Sequence, residues 1–116
     1  MTLPQIIELL QAEVLCGDNQ LDLDIDSACG SDLMSDVLAH VVNQAMLLTG
    51  LVNPQVVRTA LMMDMRCIVF VRSKRPTEDM IGLARENGLV MLRTELRMYE
   101  ACGKLYHGGL GRTNGS

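Results

Sequence analysis

Three cations fall within four residues at Arg72-Ser73-Lys74-Arg75, directly after the apolar run Cys67-Ile68-Val69-Phe70-Val71. Open α/β sheets hold their ligands beyond the carboxyl ends of the strands, so positive charge at such a place suits an anion. Two further apolar runs end in Thr49-Gly50 and in Arg93-Thr94. The helices expected to follow the three runs begin at Asn53-Pro54, Thr77 and Glu95, and the free N–H groups of helix starts favour phosphate or carboxylate. The candidate ligand-binding residues are therefore Thr49, Gly50, Asn53, Arg72, Ser73, Lys74 and Arg93. The competing reading of the basic run is a solvated, charged face with no ligand.

Other chemistry finds little support. Cys16, Cys29, Cys67 and Cys102 stand singly, without a C-x-x-C pair, and His40 and His107 are far apart. Structural metal sites are marked by close ligand spacing, so no metal is expected. A nucleophilic Cys29 would need a base and an oxyanion site. Its segment, Cys29-Gly30-Ser31-Asp32, instead reads as a polar turn that caps a helix. A redox sensor at Cys29 or Cys102 is a weaker third reading. Asp22, Asp24 and Asp26 lack the Gly and closing Glu of a calcium loop and read as a solvated face. The chain contains no G-x-x-x-x-G-K-[ST], G-x-G-x-x-G or H-E-x-x-H. No catalytic residue, no cofactor and no enzymatic activity are expected.

The elements that must position the basic run follow from periodicity. A length of 116 residues with 48% apolar side chains suits one domain with one core. That core is aliphatic: there is no Trp and one Phe, Phe70, beside nine Met. Packing accounts for most of the Met, and some suit a subunit interface. Leu3, Ile6, Ile7 and Leu10 have helical spacing, and Ala12 to Cys16 reads as a short strand. From Gln20 to Asp26 the alternation predicts an edge strand or an extended loop. Ser31 is expected to cap a helix running to about Val42, with Asp32 in its first turn. Met46 to Thr49 reads as a strand, and Asn53-Pro54 starts a helix that ends near Asp64, with Val57, Ala60 and Leu61 inward. Arg66 to Val71 is a central strand, apolar on both faces. Pro76-Thr77 opens another helix, closed by Gly88; Leu89 to Leu92 is a strand; Thr94 caps a last helix to Gly108-Gly109. The expected fold is α/β, a small and mostly parallel sheet of about four to five strands with helices packed on it. Residues 1–109 form the domain and 110–116 a flexible Gly-rich tail.

Charge is uneven along the chain. Residues 1–57 carry eight acidic side chains and no Lys or Arg, while all ten basic residues lie from Arg58 onward, against six acidic ones. The net charge of −4 argues against general nucleic-acid binding. A two-signed molecule can still hold an anion locally or pair with a copy of itself. No run is long enough for a membrane helix and no secretion signal is seen, so a cytoplasmic protein without membrane contact is expected.

Taken together, the segments resemble the DRTGG domain, itself similar to the N-terminal domain of HPr kinase/phosphorylase. The likeness covers about Leu3 to Gly109. It rests on Glu13-Val14-Leu15-Cys16-Gly17, Ala28-Cys29-Gly30-Ser31-Asp32-Leu33-Met34-Ser35-Asp36, Leu47-Leu48-Thr49-Gly50 and Thr94 through Ala101-Cys102-Gly103. Two turns depart from it: Gly50-Leu51-Val52-Asn53 stands where such domains show Gly-Asp-Arg, and Arg72-Ser73-Lys74 where they show Thr-Gly-Gly. The resemblance implies a stand-alone regulatory or ligand-sensing domain, self-association as a homodimer, and a partner protein. It also implies a context near iron-only hydrogenase systems; with the phosphate loop absent, no kinase activity is expected. Two functions remain open: a module binding a small anionic ligand or nucleotide, or a homodimerisation and adaptor module without ligand.

Overall fold

Four apolar segments and one short run of small residues pair into a single sheet. The strands are β1 (Glu13–Cys16), β2 (Ala28–Gly30), β3 (Met46–Thr49), β4 (Cys67–Phe70) and β5 (Val90–Arg93). Their spatial order is β1-β5-β4-β3-β2, with β2 to β5 parallel and β1 antiparallel to β5. The helices are α1 (Leu3–Leu10), α2 (Met34–His40), α3 (Pro54–Met62), α4 (Glu78–Glu86) and α5 (Met98–His107). This computed structural model describes residues 1–40 and 45–111. It is the small, mostly parallel α/β sheet that the alternation of helices and strands predicts.

Period-two alternation divides the core between the two faces of the sheet. Leu47, Ile68, Phe70 and Met91 face α2, α3 and α4, where Val37, Val57, Ala60, Met80 and Ala84 meet them. Met46, Leu48, Cys67, Val69 and Leu92 face α1 and α5, where they meet Leu3, Ile6, Leu10, Ala101 and Leu105. β4 is wholly buried because it is the middle strand with helices on both sides. Local chemistry fixes the helix starts. Thr2 and Gln5 form a reciprocal capping box, Asn53 caps α3 ahead of Pro54, and Thr77 caps α4. No helix among the described residues is long and apolar enough to cross a membrane.

Several local expectations are corrected. Ala28–Gly30 is a strand rather than part of a polar turn, held by parallel pairing with β3. Of the two readings of Gln20 to Asp26, the edge strand is absent and the loop stands: it turns, leaves one bridge from Asp24 to Thr2, and inserts Ile25 into the core. α2 begins at Met34, because Ser31 Oγ accepts from the nearby Leu33 N–H (3.1 Å) while Asp32 turns away to other partners. The expected end of that helix near Val42 lies outside the described residues. Inward on α3 are Val56, Val57, Thr59 and Ala60, with Leu61 only partly covered. Thr94 caps no helix. It is buried, and its Oγ1 donates to the Leu10 carbonyl (2.7 Å), so the last helix starts at Met98 rather than near Glu95. Leu110, assigned by sequence to the tail, packs into the α1–α5 side of the core. Residues 112–116 lie outside the described residues.

Candidate anion-binding site

In the parallel ladder Thr49 pairs with Phe70, and Phe70 with Arg93. The strands therefore finish side by side, and residues more than twenty apart in sequence meet at one rim. Past Val71 the chain reverses at once. The Lys74 N–H donates to the Val71 carbonyl (3.1 Å), and Arg72 and Ser73 hold φ of 56° and 58°. These are the signs of a type I′ turn, a geometry that favours Asn and Gly over Arg and Ser. Two bonds to the loop before α5 hold it: Arg72 N–H to Leu96 O (2.7 Å) and Ser73 N–H to Thr94 O (2.9 Å). Left-handed backbone costs a residue with a Cβ about 1–2 kcal/mol. Ser73→Gly is accordingly expected to raise the unfolding free energy by about 1 kcal/mol. Urea denaturation measures this, and unchanged or lower stability would show that the turn is not strained.

Two carboxylates that sequence reasoning did not place here organise the side chains. Asp32 Oδ1 accepts from the Gly50 N–H (2.6 Å) and from Thr49 Oγ1 (3.1 Å), while its Oδ2 lies 3.8 Å from Arg72 Nη2. Gly50 permits this close approach: a Cβ there would stand 2.5 Å from Arg72 Nη2. Glu13 Oε1 takes Arg93 Nη1 at 3.2 Å and Arg75 Nη1 at 3.6 Å. Arg93 Nε also reaches the Ser73 carbonyl (3.3 Å). Lys74 is exposed and makes no ion pair among the described residues.

Six of the seven sequence-selected residues thus fall into three groups. Thr49, Gly50 and Arg72 gather on Asp32; Arg93 pairs with Glu13 and holds the Ser73 carbonyl; Lys74 points its charge at solvent. Asn53 is occupied as the α3 cap, its Oδ1 accepting from the Gln55 N–H (2.8 Å). Four cations against two carboxylates leave an excess of positive charge on an exposed turn. The roomier concavities lie elsewhere: one of 930 Å³ between α1 and α5, and one of 650 Å³ beside β2 and α5. A phosphate is drawn by positive charge more than by an apolar hollow, and the exposed basic turn offers that charge. No signal in the sequence linked Asp32 or Glu13 to this rim, because only the strand order brings them there.

The thiols fit a structural role. Cys102 Sγ would lie 3.0 Å from a Cβ on Gly30, whereas Cys29, the next residue along β2, packs on the opposite face of the sheet. The two thiols thus pack against different sides of the core, although both border the groove beside β2. Burial raises the pKa of both thiols, the neighbouring thiol adding to the effect at Cys29, and burial holds Cys67 far above its ordinary value. Reactive cysteines need the opposite shift. Since the unfolded chain loses these protons first, stability is expected to be full below about pH 8 and to fall as pH rises through the free-thiol range. Urea titrations from neutral to alkaline pH check this, and the fall should shrink in Cys67→Ala. No group of three or more metal-ligating side chains occurs among the described residues.

The fold has a solved counterpart in the CBS and DRTGG domains of the regulatory region of Clostridium perfringens pyrophosphatase, determined with its activator diadenosine tetraphosphate. The similarity has a TM-score of 0.74 at 12% identity and covers 90% of this chain. It covers 45% of that structure, so the chain spans less than half the length of its structural neighbour. No curated protein matches the sequence. The DRTGG domain family matches residues 5–107, nearly the whole chain, and this protein belongs to that family.

Proposed function

We propose that this DRTGG domain is a regulatory module that binds a small phosphate-bearing anion at its basic turn and passes the binding state to a partner protein. The observation that carries the reading is the turn itself, where Arg72, Lys74 and Arg75 follow the central strand and Arg93 stands beside it. The donors of Thr49 and Gly50 are engaged by Asp32, so the ligand meets the Arg72, Ser73, Lys74 and Arg93 side of the rim. The similar regulatory region was solved with a dinucleotide polyphosphate, which supports a nucleotide among the anions. The domain acts as a cytoplasmic homodimer and performs no catalysis.

Thermal unfolding in the presence of pyrophosphate, ATP or diadenosine tetraphosphate tests this. A ligand at about one hundred times its Kd should add about 2.7 kcal/mol of stability. Absence of any shift with all three probes counts against the reading. A second reading, an adaptor without ligand, is favoured by Tyr99 and Tyr106, large side chains 90% and 63% exposed on α5. In that case the probes leave the melting unchanged, while dilution to a monomer lowers it.

A further inference from the structure

We propose that the open edge of β2 is the seam at which two copies of this chain join, antiparallel about a two-fold axis centred on Cys29. The proposal rests on the homodimer reading and names its surface. The two edges of the sheet differ. β1 carries Glu13, gripped by two arginines, and a bulge between Val14 and Cys16. Both features discourage another strand from adding. Among the described residues β2 has neither protection and no strand beyond it: Ala28, Cys29 and Gly30 are small, uncharged and at least partly exposed.

The direction of its backbone groups follows from one bond. The Ser31 N–H donates to the Leu48 carbonyl of β3 (3.0 Å). By strand alternation Cys29 also directs its N–H and C=O toward β3, and Ala28 and Gly30 direct theirs outward. In a two-fold antiparallel pair, Ala28 of one copy then exchanges both bonds with Gly30 of the other. Cys29 stands opposite its own counterpart as the non-hydrogen-bonded pair.

A three-residue ladder is too short to hold a dimer alone, and the flanks supply the rest. On the α5 face Tyr99 and Tyr106 project beside the 650 Å³ groove along β2; toward α2, Leu33 and Leu38 are 56% and 39% exposed. Continuing the sheet through β2 brings the groove and its two tyrosines to the seam. The groove also carries Glu100 and Lys104, neither of them in a salt bridge among the described residues. A two-fold interface sets a patch against itself, so a patch bearing both signs is self-complementary. That favours a second copy over a partner of single charge.

The test uses the full chain at about 100 µM, well above the dissociation constant of an ordinary homodimer. Light scattering is expected to give twice the 12.8 kDa mass. Paired Cα atoms at a non-hydrogen-bonded position stand about 4.5 Å apart, within disulfide range. Diamide should therefore join the two Cys29 thiols, taking up their two protons and two electrons as it becomes the hydrazine. A covalent dimer is expected in the natural chain and in Cys102→Ser, and is lost in Cys29→Ser. Tyr99→Asp, at a position too exposed to affect folding, should weaken association at least about tenfold. A monomer at this concentration overturns the proposal together with the homodimer reading. A dimer that gives no Cys29-dependent crosslink and withstands Tyr99→Asp overturns the proposal alone.

Discussion

Phe70→Ala is expected to lower the unfolding free energy by about 3–5 kcal/mol. Phe70 closes the central strand, is wholly buried, and is the chain's one phenylalanine. It belongs to the α2–α4 side of the core, with Leu47, Ile68 and Met91 beside it on the sheet. The helices above cannot sink freely into a vacated ring position. α3 and α4 are pinned at their starts by Asn53 and Thr77, and the strands on either side of Phe70 are locked in register. The loss therefore combines the transfer of a large apolar group with a residual cavity. For a domain of this size the total is about 5–15 kcal/mol, so much of the stability rests on one side chain. Urea unfolding followed by circular dichroism measures it. A loss below about 1 kcal/mol would show that the flexible methionines, Met80 and Met91 among them, refill the space.

The legibility of the chain follows the strength of local signals. β4 could be read because five apolar residues in a row leave no face for solvent, and α3 because Asn followed by Pro starts helices for separate physical reasons. β2 could not. Ala-Cys-Gly has no strand propensity of its own and pairs only because β3 offers a free edge beside it. Thr94 misled for a related reason. Its hydroxyl suits a cap, yet a tertiary acceptor, the Leu10 carbonyl, takes it first. At the rim, the positions of Thr49, Gly50, Arg72, Ser73 and Arg93 followed from the rule about strand ends. The pairing of Arg72 with Asp32 and of Arg93 with Glu13 did not, since those two carboxylates reach the rim from other parts of the fold.

Titration of diadenosine tetraphosphate into the natural chain and into Arg72→Ala/Lys74→Ala, followed by calorimetry, distinguishes an anion site at the basic turn from a merely solvated charge run. Each cation is exposed, so the fold does not depend on it. Arg72 and Asp32 are about half exposed and 3.8 Å apart, and a pair of that kind contributes between nothing and about 1 kcal/mol. For a bound polyphosphate the same groups matter more, because hydrogen bonds to charged groups are worth about 1.5–3 kcal/mol each. Removing two should cost about 3 kcal/mol of binding, roughly a hundredfold in Kd. The natural affinity should also weaken with added salt, since the site is open to solvent and screening acts beyond about 8 Å. Binding by the natural chain is expected, with a Kd about a hundredfold higher in the double variant and nearly equal urea midpoints for the two. Equal affinity in the two proteins would contradict an anion site at the turn.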